Sequence, residues 1–105
     1  MLVIDSRVVT EAQLNALCSR AVYMEICINV FQSPIQQISC PHLRVLKPCM
    51  PNKLALRVVN NNALTNIVLS DSLRLSKSIE VRGNQLLSAE SRRKLKLICP
   101  ACIIR

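Results

Sequence analysis

Glycine is almost missing from this sequence. Gly83 is the single one, where a chain of this length ordinarily carries about seven. Folds built on tight glycine corners are therefore not expected. Neither Asn-Gly nor Asp-Gly occurs, so the strongest hairpin signal is absent too. Aromatic residues are equally scarce. Tyr23 and Phe31 stand alone, without any tryptophan, which removes the stacking platform that single-stranded nucleic acids use. A glycine-rich phosphate loop cannot be assembled from one glycine. The carboxylates Asp5, Glu11, Glu25, Asp71, Glu80 and Glu90 are scattered. None is paired at a spacing that points to general acid–base work or a calcium loop. No run of about 18 uncharged apolar residues exists, so no membrane-spanning helix is expected. Met1 to Asp5 show no basic n-region, apolar h-region or cleavage site. If the protein is secreted, the sequence reads as a mature or trimmed form.

What is present points to a folded unit. The chain has 105 residues, half of them apolar and 19% charged, which fits one domain spanning residues 1–105 and argues against intrinsic disorder. The formal net charge is +8, and it is uneven. Arg74, Lys77, Arg82, Arg92, Arg93, Lys94, Lys96 and Arg105 face only Glu80 and Glu90 in the last third. The densest part, Arg92, Arg93, Lys94 and Lys96, is either a solvated helix face or a patch for nucleic acid, anionic lipid or an acidic protein.

Six cysteines, Cys18, Cys27, Cys40, Cys49, Cys99 and Cys102, are many for so short a chain. An even count favours disulfides and an oxidising compartment. The sequence does not choose the pairing. Cys40 with Cys49 would close an ordinary loop, and Cys99 and Cys102 would bond each other or earlier cysteines.

Three segments share a pattern. Leu56, Val58, Asn61 and Leu64 fall on Ile79, Val81, Asn84 and Leu87 at one constant offset. Ile26-Cys27-Ile28, followed by Ile35 and Ile38, fits with a short insertion before Ile35. An earlier strand, Leu2-Val3-Ile4, lies about one repeat upstream. Alternation in a strand points Leu56, Val58, Ile79 and Val81 inward and sets Arg57 beside Glu80 outside. Each Asn ends its strand and bonds backbone groups that the turn leaves unpaired. Gly83 supplies a cheap left-handed backbone beside Asn84. Two helices frame the repeats. Thr10-Glu11-Ala12-Gln13 reads as a capping box opening a helix to about Arg20, with Leu14, Leu17, Cys18 and Ala21 on one face. A second helix runs from near Ser88 to about Ile98, ended by Pro100, with Leu95 and Ile98 inward and Arg92-Arg93-Lys94 toward solvent. The Pro-punctuated stretch from Cys40 to Pro51 reads as irregular. Asp71 to Ser76 reads as a connection with a short helical or extended piece.

The order of these motifs resembles the receptor L-domain, the leucine-rich-like module of insulin and epidermal-growth-factor receptors, in its expanded nematode version. Leu2-Val3-Ile4, Thr10-Glu11-Ala12-Gln13-Leu14, the Leu56-to-Ile67 repeat, the Ile79-to-Leu87 repeat and the basic helix closing on Cys99 carry the resemblance. Asn62 stands where that family has proline, and no Asn-x-Ser/Thr sequon occurs. The resemblance implies an α/β fold: a short right-handed, leucine-rich-repeat-like solenoid, a single-stranded β-helix with a helix near each end. It also implies a non-enzymatic extracellular module that binds a protein ligand or co-receptor without a cofactor. An open edge strand leaves room for a dimer. The outward sheet face is the expected binding surface, with Glu25, Cys27 and Asn29 on one strand, Arg57 and Val59 on the next, and Glu80 and Arg82 on the third.

The alternative is a small basic intracellular protein stapled by zinc. Cys99-x-x-Cys102 has the spacing for two thiolates on one metal, with Cys40, His42 and Cys49 to complete the set. Such a protein would bind nucleic acid through Arg92, Arg93, Lys94 and Lys96. His42 beside Cys40 also forms a dyad on paper, but the sequence gives it no third partner.

Overall fold

The computed structural model describes residues 3–75 and 79–105. Leu2 of the first expected strand, Ser76 and Lys77 lie outside the described residues. Strands β1 (Val3–Asp5), β3 (Cys27–Phe31), β6 (Leu56–Val59), β8 (Ile79–Arg82) and β9 (Ile103–Ile104) form one parallel five-stranded sheet in that order. Two further parallel pairs accompany it: β2 (Tyr23–Glu25) with β5 (Val45–Lys47), and β4 (Gln37–Cys40) with β7 (Asn66–Leu69). Helix α1 (Glu11–Arg20) follows β1, and α2 (Ala89–Ile98) precedes β9.

This architecture corrects the solenoid expectation. Among the described residues the strands form one five-stranded parallel sheet and two separate two-stranded parallel pairs, and no regular solenoid of repeats is formed. The molecule measures 28 × 28 × 25 Å, so it is a compact α/β unit and not a stack elongated in one direction. The missed strands explain the difference. β5 lies inside the stretch expected to be irregular, and β4 and β7 mix Gln, Ser and Asn with apolar residues. In windows of three or four residues, hydrophobic periodicity carries little signal. Asp71 and Ser72 form a turn and Leu73 to Leu75 are irregular, with Leu75 N donating to Ile98 O at 2.8 Å.

The repeat offset does hold between β6 and β8. Leu56 pairs with Ile79, Arg57 with Glu80, and Val58 with Val81. The first repeat is corrected by two residues: Ile28, not Ile26, stands beside Leu56, and Val30 stands beside Val58. With that shift the insertion before Ile35 is not needed to align the strand. Side chains alternate across the sheet. Ile28, Leu56 and Ile79 form one buried row, and Val30, Val58, Val81 and Ile104 form another. Burial of each such side chain contributes about 1.5–3 kcal/mol. Met24 beside Leu46 and Ile38 beside Ile67 extend the same core from the smaller sheets.

Both helices close this core. Thr10 Oγ1 accepts from Gln13 N, and Gln13 Oε1 accepts from Thr10 N, completing the capping box. Leu14 and Cys18 are buried, but Leu17 is 44% exposed, so the inward stripe is narrower than expected. Asn15 lies along the edge of β4, where its amide donates to Gln37 O and accepts from Ser39 N. Ser91 of α2 serves β7 similarly, accepting from Ile67 N and donating to Asn66 Oδ1. Leu95 and Ile98 face the core, as expected.

Candidate functional site

The site is the outer face of the five-stranded sheet, and a row of corner residues fixes it. Gln32, Asn60 and Gly83 follow the ends of β3, β6 and β8, and all three have left-handed backbone, with φ of 46°, 56° and 70°. The next residues are Ser33, Asn61 and Asn84, and all are buried. Asn61 Oδ1 accepts from Ser33 N and Oγ, while its Nδ2 donates to Val30 O. Asn84 repeats the arrangement: its Oδ1 accepts from Asn61 N and Nδ2, and its Nδ2 donates to Val58 O. Each amide thus satisfies the backbone of the preceding strand's corner, groups that would otherwise be buried unpaired. The strands are thereby held in register, and so are the side chains between them.

On the outer face, Asp5, Asn29, Arg57, Glu80 and Ile103 form one row, and Phe31, Val59 and Arg82 form the next. Glu80 is the centre of the charged group. Its Oε1 accepts from Arg57 Nε at 2.7 Å, and its Oε2 accepts from Arg82 Nε at 3.3 Å. The Arg57 guanidinium also lies 5.1 Å from the centroid of the Phe31 ring, within the range of cation–π attraction. These hydrogen bonds, that from Arg57 foremost, hold the Glu80 carboxyl below the ordinary glutamate range, against the opposing effect of burial.

A shallow concavity of about 590 Å³ lies over this group. Asn29, Phe31, Arg57 and Glu80 floor it, and Met50, Asn52, Lys53 and Leu54 wall it. The wall is fastened by the Cys27–Cys49 disulfide. Arg57, Lys53 and Glu80 give the hollow a cationic excess, and Phe31, Met50 and Leu54 give it apolar surface.

The structure gathers most of the expected face. Asn29, Arg57, Val59, Glu80 and Arg82 share the sheet, and Cys27 lies at its edge of the concavity in a disulfide. Glu25 does not belong to it. It ends β2 in another sheet, where it accepts from Tyr23 Oη at 3.0 Å and so pushes the phenol above its ordinary range. Phe31, Met50, Lys53 and Leu54 were not read from the sequence. Phe31 follows the alternation of β3 once the register is corrected. The other three come into place through a cysteine pair that spacing alone does not identify.

The cysteines form Cys18–Cys40, Cys27–Cys49 and Cys99–Cys102. A Cys40–Cys49 bond is thus replaced by two bonds, each spanning a sequence separation of 22. The proposed zinc ligands Cys40, His42, Cys49, Cys99 and Cys102 are not brought together. Their thiols lie in three different disulfides, and no group of three metal-ligating side chains occurs among the described residues. The basic patch is divided as well. Arg93, Lys94 and Lys96 are exposed on α2, while Arg92 is half-buried and donates from Nη2 to Asn84 O at 2.8 Å. Lys94 is shared with Glu90 at 3.5 Å.

No protein-family model, curated protein or solved structure matches the chain. Among the described residues no helix is long and apolar enough to cross a membrane. The three disulfides are consistent with an extracellular or secreted protein.

Proposed function

We propose that this protein is a non-enzymatic extracellular protein-binding module, of the receptor L-domain kind that its strand–asparagine motifs resemble. The observation that carries the reading is the disulfide-walled concavity on the outer sheet face, with Phe31, Met50 and Leu54 as apolar surface and Arg57 held in place by Glu80. Such a surface provides what protein interfaces use: an aromatic and an arginine at the centre and polar groups at the rim. The disulfides support the extracellular part, since they persist in oxidising compartments.

The test is a binding screen against a panel of purified secreted proteins and receptor ectodomains, repeated with Arg57→Gln and Arg93→Gln. A partner that loses about tenfold or more in affinity with Arg57→Gln, and is indifferent to Arg93→Gln, supports the reading. No partner in the panel, or one sensitive to Arg93→Gln alone, counts against it. Intact mass settles the rival zinc-stapled, nucleic-acid-binding reading in parallel. Three disulfides add about six mass units on reduction, whereas a zinc-bound protein with free thiols shows a native excess of one metal that denaturation removes.

A further inference from the structure

The outer face carries two guanidiniums oriented by one carboxylate. We propose that Glu80 is a positioning residue that presents Arg57 and Arg82 as a paired receptor for a carboxylate in an acidic segment of a protein partner. The inference rests on the reading of this face as a protein-binding surface and specifies the chemistry of what it takes.

Three observations carry it. First, Glu80 uses one oxygen for each arginine, and in both cases the donor is Nε. The terminal Nη groups of Arg57 and Arg82 have no partner among the described residues, and both side chains are more than 40% exposed. Second, Arg57 is held a second time by the Phe31 ring. A guanidinium fixed on two sides has lost most of its rotamer freedom before a ligand arrives, so less is lost on binding. Third, the charges around the hollow favour an anion. One carboxylate, Glu80, stands against Arg57, Arg82 and Lys53, and the chain as a whole is at +8. Asp5, the other acid in the row, is engaged by Arg7 at 3.0 Å, and Asn29 stands between it and Arg57. The fork geometry of arginine matches a carboxylate bidentately. Phe31, Met50 and Leu54 offer apolar contact to the residue beside that carboxylate. An acidic segment with an apolar neighbour therefore satisfies both parts of the hollow, whereas a purely apolar segment would leave the Nη groups covered and unpaired.

The experiment uses a short peptide with a Glu-Leu-Glu core flanked by serines, and its Gln-Leu-Gln counterpart. Both are titrated into the disulfide-bonded protein while backbone and arginine side-chain NMR signals are followed. The glutamate peptide is expected to shift Arg57, Arg82, Phe31 and residues 50–54, and the glutamine peptide to bind about tenfold more weakly or not at all. Arg57→Gln and Arg82→Gln should each weaken the glutamate peptide about tenfold. Glu80→Gln is decisive. It removes a negative charge, so attraction by net charge alone would tighten binding. A glutamine, however, offers an acceptor to one guanidinium and an N–H donor to the other. A positioning role therefore predicts weaker binding, together with altered Arg57 or Arg82 Nε–H signals. Tighter binding to Glu80→Gln, shifts centred on Arg93, Lys94 and Lys96 of α2, or no binding of the glutamate peptide would each overturn the inference. If an ectodomain partner is still lost with Arg57→Gln when the peptide does not bind, the sheet-face reading stands and only its acidic chemistry falls.

Discussion

Gly83 shows how one atom can matter in this protein. Its φ is +70°, and an added Cβ would run into the side-chain amide of Asn60, the residue at the same corner of the preceding strand. Gly83→Ala is expected to cost about 1–2 kcal/mol from the left-handed backbone alone, with a further increment from displacing Asn60. Denaturant unfolding measures the sum. In an Asn60→Gly background the increment should vanish while the backbone cost stays, a coupling that a double-mutant cycle resolves. Glu80 carries a pH dependence of definite sign. Its folded carboxyl titrates below its ordinary value, chiefly because Arg57 donates to it. The unfolded chain therefore binds the proton more readily. The stabilisation is present above about pH 4.5 and is lost as the pH falls from there through the folded value. Acid-unfolding curves of Glu80→Gln should be flatter in that window than those of the parent protein. At this scale the sequence was informative where a residue type is chemically singular. Asn61 and Asn84 were legible because both are asparagines after an apolar-x-apolar strand. Ser33 performs the same role with a hydroxyl and a backbone N–H. It is not legible, because serine is common and the sequence pattern places the strand before it two residues early.

The helices illustrate the element scale. Thr10 and Gln13, and Ser88 with Pro100, mark their ends by local chemistry, so their bounds could be read from the sequence. The short strands β4, β5 and β7 have no comparable marker, and they become strands because a neighbour pairs with them. Helix α1 depends on one of these strands. It is tied to β4 by the Cys18–Cys40 disulfide and by both bonds of the Asn15 amide. Replacing Cys18 and Cys40 together by serine is expected to cost about 3 kcal/mol, the loop-closure term for a loop of this order. If α1 also loosens from β4, amide exchange at Ser39 should rise in step, since its N–H is held by Asn15.

Among the described residues, three sheets, two helices and three disulfides share a body about 28 Å across. The two long disulfides together account for about 6 kcal/mol. A domain of this size has a total stability of about 5–15 kcal/mol. Reduction is therefore expected to remove a large share of the stability and lower the unfolding temperature, and thermal unfolding followed by far-ultraviolet circular dichroism after thiol treatment reads the loss directly. Retained native ellipticity would show that the apolar rows suffice alone. At this scale the pattern of inward and outward residues was legible, because burial alternates along all of β8 and from Leu56 to Val58 in β6. The distribution of strands into separate sheets was not. It depends on turns and pairings between residues far apart in the chain.

The placement of the disulfides makes the molecule unequal under tension. Cys18–Cys40 and Cys27–Cys49 both lie in the first half, and Cys99–Cys102 closes only a local loop. No covalent bridge crosses from the segment between Cys49 and Cys99 to the rest. A force applied along the chain meets a latched half and a half held only by hydrogen bonds and packing. The segment between Cys49 and Cys99 is a part that yields, and it can pay out about 170 Å of extended chain while residues 18–49 stay latched. The concavity straddles that division. Its wall, from Met50 to Leu54, starts at the latched cysteine, and Arg57 and Glu80 stand on strands that would peel away. A ligand seated there would spend its binding energy resisting extension, so a pull on the chain and release of the ligand would be one event.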